Sequence, residues 1–477
     1  MRVSKYYKLA RHQAELDFVD VPLDTDLRVF VEPGAIRALD TQWSNQCVAL
    51  LQHFFSCVLE AVKGGDKGRA IDLLASLKER NEFHLGYSKG KSRGHAFGTG
   101  SAGSVWNSLL GSKAAKTGVL KDLEDTALLI DKVGPDMISD AVCNIIRGPL
   151  IEYTQDMCRY YGIPMQGGVA SGPIWDMRSE RWTADFVELP FPRGEKLVLV
   201  PKTLVRHAAT YDVGEYHRYF LLPELQRQHL SSGSALVQVL KNKKRRVTKK
   251  SLVDLYGGDK NAVATLTQAN PDILAKYKST KDAQPSPPMS NQALAKIENA
   301  VNPNMADYLK KVLAVPPGKK DATAYERAVE KLLTALFYPS LTYPQRQKPL
   351  NQGRKVLDLM FNNTANEGFF AWLSKHYPAP YVFVECKNYT EDVKNPELDQ
   401  LSGRFSPSRG KFGILVCRAV SNRGKIDAMC RDTAKDGRGY MVVLDDADLS
   451  VLVGLHTAIH VNDARTLLHG RFENLVL

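Results

Sequence analysis

The stretch YVFVECKNYT, residues 381–390, places an acidic and a basic residue inside an apolar strand. Side chains alternate across a strand, so Phe383, Glu385 and Lys387 are expected on one face and the intervening apolar residues on the other. Burying either charge alone is costly, so the pair requires a partner, a metal ion or water. This strand is therefore the first candidate for a functional site.

A second acidic residue, Asp358, lies in the preceding predicted strand, KVLDLMF. If the two strands are neighbours, Asp358, Glu385 and Lys387 converge at one edge of the sheet. Two carboxylates there would bind a hard cation through oxygen, and the lysine would face the scissile group. Bound Mg²⁺ lowers the pKa of its water and neutralises charge on phosphoryl oxygens. The pattern therefore predicts a metal-dependent site that hydrolyses phosphodiesters.

The chain after residue 320 alternates between helical and strand patterns. The order is helix AYERAVEKLLTALF, strand KVLDLMF, helix NEGFFAWLSKH, strand YVFVECKN, helix PELDQLSGRF, strand KFGILVC, helix KIDAMCRDTAK and strand GYMVVLD. Such alternation predicts an α/β domain with a mixed central sheet and helices on both faces.

This order, with Asp in one strand and Glu-x-Lys in the next, resembles the PD-(D/E)XK nuclease superfamily, and within it the Mrr-like restriction-endonuclease branch. The resemblance covers about residues 321–448 and implies a restriction-endonuclease-like fold. It implies that Asp358 and Glu385 are metal ligands, that the Cys386 carbonyl is a further ligand, and that Lys387 is the catalytic lysine. Leu357 stands where the name-giving proline would be, a residue that the chemistry does not require.

Two further residues acquire roles through the same resemblance. Glu326 on the first helix would contribute to the metal site, although Glu330, one helical turn later, could serve instead, and a solvated helix face is an equal alternative. Gln400, on the helix after the Glu-x-Lys strand, would act at the catalytic site or contact the DNA backbone, or it is a surface polar residue.

The stretch STKDAQPSPPMSN, residues 279–291, is rich in Pro, Ser and Lys and predicts a linker. It would separate an N-terminal module, 1–278, from a nuclease-like domain, 292–477, that we expect to fold by itself. In the N-terminal module, helical patterns dominate and LRVFVEP and EKLVLVPKTLV predict short strands, so the module is expected to be α+β and to sense, bind or restrain.

Net charge is +12 and the isoelectric point is about 9.2, which favours an anionic partner such as nucleic acid. The most basic run is LKNKKRRVTKK, residues 240–250, in which Lys243, Lys244, Arg245 and Arg246 are candidates for phosphate contacts; a solvated basic loop is the alternative. Lys89, Lys91 and Arg93 on a glycine-rich stretch could form a second anion site, or a mobile basic loop.

Cellular location is predicted from features that the sequence lacks. The N-terminus has no apolar segment of a secretory signal, no apolar run approaches the length of a membrane span, and the seven cysteines form no CxxC pair. A cytoplasmic protein with reduced cysteines and no membrane partner is therefore expected.

These observations predict an endodeoxyribonuclease that depends on Mg²⁺, with Mn²⁺ as an alternative, and acts on phage or foreign DNA. GPDMISDAVCNIIRGPLIEYTQ is similar to N-terminal regions of uncharacterised bacterial proteins that carry such nuclease domains, some of them in phage-defence loci. We therefore expect a defence effector, controlled through its N-terminal half by an unidentified trigger, and a homodimer where both strands are cut. A catalytically inactive DNA-binding module and an RNA-cleaving nuclease are the alternatives.

Overall fold

The structure, a computed structural model, describes residues 1–77, 80–86, 108, 119–350, 355–457 and 467–477. The predicted anion site at Lys89, Lys91 and Arg93 lies outside these residues. The chain forms two compact units. The first unit comprises Met1–Tyr6, Val21–Asp156 and Pro164–Pro288, and the second comprises Tyr7–Asp20, Met157–Ile163 and Met289–Leu477.

The boundary between the units differs in two ways from the predicted division. Tyr7–Asp20 and Met157–Ile163, which the sequence analysis placed in the N-terminal module, belong to the second unit. In addition, residues 279–283 of the predicted linker form the end of the helix Pro271–Ala283. Lys278 holds this helix by ion pairs to Asp122 and Asp125, a long-range contact that local composition does not reveal.

The first unit is helical, with short two-stranded sheets. Its helices are Val3–Tyr6, Pro33–Ala38, Gln42–Gly64, Lys67–Ala75, Leu123–Leu129, Pro135–Ile145, Arg147–Tyr161 (up to Asp156), Val213–Tyr216, Leu222–Ser232, Lys249–Tyr256, Lys260–Ala269 and Pro271–Ala283. Its strands pair as Phe30–Val31 with Val205–Arg206, Gln166–Ala170 with Phe186–Leu189, Ile174–Asp176 with Arg181–Thr183, and Gln238–Val239 with Arg245–Arg246.

The predicted strand EKLVLVPKTLV is wrong for most of its length. Only Val205 belongs to a strand, although residues 197–200 are buried. Their backbone groups bond to irregular segments instead of a ladder: Leu197 N donates to Pro190 O, and Leu199 N donates to Thr154 Oγ1 at 2.9 Å. A short buried apolar run therefore satisfied its polar groups without joining a sheet.

The helix Gln42–Gly64 is long and apolar enough to cross a bilayer by length and composition, which differs from the sequence expectation. Core helices share these properties, and buried residues such as Cys47, Phe54 and Val58 face the interior of the first unit. The helix is therefore weak evidence for a membrane segment.

The second unit contains a mixed sheet, as predicted, with five strands in place of the four predicted. The strand order is Tyr440–Leu444, Phe412–Cys417, Tyr381–Lys387, Lys355–Asn363, Leu341–Leu350. The first three strands are parallel, and the last two run antiparallel to their neighbours. The edge strand Leu341–Leu350 was not predicted.

Helices cover this sheet, and the apolar residues between them form one core. The helices of the second unit are Asn291–Ile297, Met305–Leu313, Ala322–Phe337, Gly368–His376, Asn395–Ser402, Arg423–Lys435, Asp446–Thr457 and Leu467–Val476. The helix Asn395–Ser402 approaches the sheet closely because Gly413 lacks a side chain: a Cβ there would lie 3.0 Å from Leu401 Cδ1 and 3.1 Å from Phe405 Cε1.

Candidate active site

The strands that carry Asp358 and Glu385 are antiparallel neighbours. Asp358, Glu385 and Lys387 were predicted to converge if these strands were neighbours, and this condition is met. Their backbone pairing runs from Asn362–Tyr381 to Leu359–Val384. One step further along the same register, Asp358 stands opposite Glu385, and residues that face each other across an antiparallel pair share a face. At this point Asp358 Oδ2 accepts a hydrogen bond of 3.1 Å from Cys386 N, so its carboxylate is fixed by the neighbouring backbone.

Glu385 lies inside the protein, only 1% exposed. Both faces of its strand are covered, because Val382, Phe383 and Val384 are buried as well. Lys387 Nζ lies 2.8 Å from Glu385 Oε1, whereas Oε2 is buried with no hydrogen-bond partner in the described part of the chain. Burial raises the pKa of Glu385 and the Asp358 carboxylate adds to this effect, while Lys387 opposes it.

Lys387 is held between two oxygen acceptors. Its Nζ donates to Glu385 Oε1 at 2.8 Å and to Gln400 Oε1 at 3.0 Å, from the helix Asn395–Ser402. Burial alone would lower the pKa of Lys387, but the Glu385 carboxylate outweighs it, so the pKa is raised and the ammonium stays charged. Gln400 is thus placed beside the lysine by its helix and orients it.

Cys386 follows Glu385 in the strand, and the charge of Glu326 acts on its thiol. Burial, followed by the charges of Asp358, Glu326 and Glu385, raises the pKa of the Cys386 thiol far above its usual range. The Glu326 carboxylate is therefore near the candidate site, but its Oε1 accepts from Arg346 Nη2 at 2.8 Å and Nε at 3.1 Å. Glu326 would have to share its charge between a metal ion and this guanidinium.

Glu330, the alternative to Glu326, has other partners. Its two oxygens accept from the Arg11 guanidinium at 2.9 and 2.7 Å, and Tyr160 OH donates to Oε1 at 2.8 Å. The side chain is fully buried in this arrangement. Glu330 is therefore a structural residue of the second unit, and Glu326 is the glutamate of this helix that lies near the site.

Sequence reasoning missed two residues around the site. Arg404 is 8% exposed, its charge acts to lower the pKa of Glu385, and its Nε has no hydrogen-bond partner among the residues described. Asn388 fixes the end of the strand, since its Nδ2 donates to Pro316 O and Gly318 O at 2.9 Å each. Arg404 lies near the end of the predicted helix PELDQLSGRF, whereas the observed helix ends at Ser402, and nothing local indicated that its charge would act on Glu385.

The donor set fits a hard divalent cation. Asp358 and Glu385 bring carboxylate oxygens to one face of the sheet, and the unpartnered Glu385 Oε2 is a buried ligand atom that lacks a proton donor in the described chain. Magnesium prefers oxygen ligands and is commonly bound through one or two carboxylates. These residues can therefore hold Mg²⁺ or Mn²⁺.

Another group of candidate ligands occurs in the first unit, where ligand atoms of His53, Cys57 and Glu180 lie within 4.8 Å of one another. Its nitrogen and sulfur donors are unlike those preferred by Mg²⁺. Trp175 Nε1 donates to His53 Nδ1 at 3.3 Å, and Arg69 forms an ion pair with Glu180, so protein partners already occupy this cluster.

The basic run forms a hairpin in the first unit. Arg245 and Arg246 are in the second strand, Lys243 adopts a left-handed conformation (φ 62°) in the turn, and Lys244 follows it. All four side chains are exposed. They are thus accessible to phosphate groups, and their role as phosphate contacts stays a prediction.

Comparison with known proteins gives one match. Residues 8–212 are similar to a family described as a domain of unknown function, DUF8370. No curated protein and no solved structure matches the chain. The matched range excludes Asp358, Glu385, Lys387 and Gln400, so the comparison leaves the candidate active site unassigned.

Proposed function

We propose that this protein is a metal-dependent endonuclease that hydrolyses DNA phosphodiester bonds, with a restriction-endonuclease-like second unit. The observation that carries the proposal is the buried Glu385 carboxylate, which faces Asp358 across the strand pair, contacts Lys387 and keeps one oxygen unpartnered in the described chain. A buried acid in such a setting is unfavourable unless a charge partner compensates for it.

Asp358 and Glu385 would hold the metal, with the Cys386 carbonyl and Glu326 as the further candidates. Bound there, Mg²⁺ or Mn²⁺ would acidify a water molecule and neutralise phosphoryl charge. The Asp358 carboxylate is oriented by Cys386 N, and Glu385 is oriented by Lys387. These contacts fix the ligand oxygens before a cation arrives, which reduces the reorganisation that binding requires.

Lys387 would supply fixed positive charge beside the scissile phosphate. Water attacks phosphorus, one P–O ester bond breaks, and negative charge accumulates on the phosphoryl and leaving oxygens. A charged Lys387 Nζ can donate hydrogen bonds to these oxygens as the charge develops, and Gln400 keeps the ammonium in place. Buried Arg404 would add a second cation on the same side.

The exposed hairpin cations favour DNA as the partner, through sequence-independent phosphate contacts. We further propose that the first unit targets or restrains the nuclease in response to a trigger, in the context of defence against phage or foreign DNA, in the cytoplasm. A homodimer would allow both strands of a duplex to be cut. The alternative functions are RNA cleavage and DNA binding by a catalytically inactive module, and the test below distinguishes them from DNA cleavage.

The test is cleavage of plasmid, linear duplex DNA, single-stranded DNA and RNA by the full chain, each with Mg²⁺, Mn²⁺ or EDTA. We expect cleavage of DNA with either metal and none with EDTA. Asp358→Asn, Glu385→Gln and Lys387→Met should each abolish it. Gln400→Leu, which removes one hydrogen bond to Lys387, should lower turnover only about threefold to tenfold.

The chain contains a matched control for these variants. Glu391 and Lys394 form an exposed acid–lysine pair, 78% and 71% exposed, in the loop after the same strand. Glu391→Gln and Lys394→Met should cleave like the wild type. DNA binding without cleavage under every metal condition would indicate an inactive binding module, and cleavage that survives loss of Glu385 would exclude this site.

A further inference from the structure

Three cationic side chains and a single carboxylate form a cluster in the first unit. Arg147 Nη1 contacts Glu82 Oε1, and Lys196 Nζ lies 3.1 Å from Glu82 Oε2. Arg80 Nε and Arg147 Nη2 both donate to Asn144 Oδ1, at 2.9 and 2.7 Å. The two guanidinium groups therefore converge on one neutral oxygen, while Arg147 and Lys196 share Glu82, the only carboxylate that the ion pairs of the described residues place against these cations.

The centre of this cluster is buried. Arg147 is fully enclosed, its Cζ lies 5.2 Å from the centre of the Phe83 ring, and its Nε has no hydrogen-bond partner in the part of the chain that is described. Lys196 retains 23% exposure of its side chain and Arg80 is half-buried. The cluster can thus be reached from solvent at Lys196 and Arg80, with Arg147 beneath them.

Gly172 faces the same cations. Its φ of +77° favours glycine, and a Cβ at this position would lie 3.2 Å from Arg147 Nη1 and 3.3 Å from Lys196 Nζ. The backbone here accepts weakly from Arg147, with Ser171 O at 3.4 Å from Nη1, and Ala170 O accepts from Lys196 Nζ at 3.0 Å. Neutral carbonyl oxygens orient the two cations without cancelling their charge.

Burial and the neighbouring positive charges both lower the pKa values of these groups. Burial, followed by the charges of Arg147 and Arg80, lowers the pKa of Lys196 to about 8. Burial and the charge of Arg80 lower the pKa of Arg147 to about 9. An anion bound among these cations would raise the pKa values of Lys196 and Arg147 again.

We propose that Arg80, Arg147 and Lys196 form a binding site for the phosphate monoester of a small molecule. Three cations and one carboxylate leave two positive charges, which match a phosphate group carrying close to two negative charges at neutral pH. A carboxylate ligand would neutralise only half of this excess. Guanidinium groups also present paired N–H donors that suit phosphate oxygens. This inference is independent of the proposed nuclease activity.

The experiment is calorimetric titration of the full chain with inorganic phosphate at constant ionic strength, in EDTA so that no metal ion contributes. We expect saturable binding at one site. Arg80→Gln and Lys196→Gln should each weaken it by about tenfold or more, because each removes a charge-assisted hydrogen bond. AMP should compete with phosphate, and adenosine should not.

Exposed cations of the same unit supply matched controls. Arg178→Gln and Lys63→Gln make the same changes on the surface and should leave the affinity unchanged. Glu82→Gln changes the charge in the opposite direction and should tighten phosphate binding. Absence of saturable phosphate binding, equal losses in the controls, or binding of short DNA without binding of phosphate or AMP would each overturn the proposal.

Discussion

Glu385 is the residue whose surroundings most constrain the function. Its carboxylate is buried, one oxygen faces Lys387, and the repulsion from Asp358 raises its pKa further. Without a cation, this arrangement contributes unfavourably to folding, since burial and like charge both oppose ionisation. A divalent cation bound by both carboxylates would turn the repulsion into attraction.

Magnesium should therefore stabilise the protein through Asp358 and Glu385. At about a hundredfold excess over its dissociation constant, Mg²⁺ should raise the free energy of unfolding by about 2.7 kcal/mol. In Asp358→Asn this increment should disappear, while the metal-free variant should be at least as stable as the wild type because repulsion is relieved. Urea unfolding with Mg²⁺ and with EDTA measures both quantities. An undiminished increment in Asp358→Asn would place the metal elsewhere, and Glu391→Gln is the control.

The raised pKa of Glu385 also predicts how stability depends on pH. A carboxyl group whose pKa is higher in the folded state binds its proton more tightly there, so the metal-free protein gains stability from this residue as pH falls from the folded pKa towards the unfolded value near 4.5. The Mg²⁺ increment should be lost over the same interval, because protonation competes with the metal. Urea unfolding of the wild type and Glu385→Gln between pH 4.5 and 7 isolates the contribution. Parallel curves for the two proteins would contradict it.

At the scale of elements, local pattern was sufficient where helices and strands alternate. The strands of Asp358 and Glu385 were predicted because apolar runs of strand length are separated by amphipathic helices. The strand Leu341–Leu350 was missed because it contains Pro344 and Pro349, residues that a ladder tolerates at an edge.

The juxtaposition of residues at the candidate site was predictable to the same extent. Asp358, Glu385 and Lys387 follow from position in two strands, and Gln400 follows from the resemblance. The roles of Arg404 and Asn388 could not be predicted, because each depends on contacts between segments that are distant in sequence. Asn388 donates to Pro316, and the charge of Arg404 acts on Glu385. Proximity created by tertiary packing has no periodic signature in the sequence.

The basic hairpin is the element for which DNA binding is predicted most directly. Substituting Lys243, Lys244, Arg245 and Arg246 by Gln should weaken binding to duplex DNA and flatten its salt dependence, by about 0.9 in log–log slope for each phosphate that the hairpin no longer neutralises. Fluorescence anisotropy across a salt series, in EDTA, measures the slope. Lys63, Lys67, Arg178 and Arg181 are equally exposed and of the same composition, so their joint substitution is the control. If the slope is unchanged, the hairpin is a solvated loop.

At the scale of the whole molecule, the second unit is built from three separated stretches of chain. Tyr7–Asp20 and Met157–Ile163 join Met289–Leu477, and the ion pair of Arg11 with Glu330 and the hydrogen bond of Tyr160 with Glu330 connect all three. Asp17 Oδ1 also accepts from Tyr343 N at 2.7 Å. The expectation that residues 292–477 fold by themselves stays a prediction, and that fragment lacks Arg11 and Tyr160, two partners of the buried Glu330 carboxylate.

Removing Arg11 should expose this dependence. Arg11→Met leaves the buried Glu330 without its ion-pair partner, and breaking a buried ion pair from one side costs about 3–5 kcal/mol of unfolding free energy. Glu330→Gln added to Arg11→Met should recover a large part of the loss, since a neutral amide needs only hydrogen bonds, which Tyr160 still offers. Urea unfolding of the full chain measures each step of this cycle. Arg438→Met, which breaks an exposed pair with Asp399, should cost no more than about 1 kcal/mol.

The same reasoning extends to the fragment Met289–Leu477, which should be less stable than its own Glu330→Gln variant. If the unsubstituted fragment is the more stable of the two, the N-terminal segments are dispensable for the fold of the second unit.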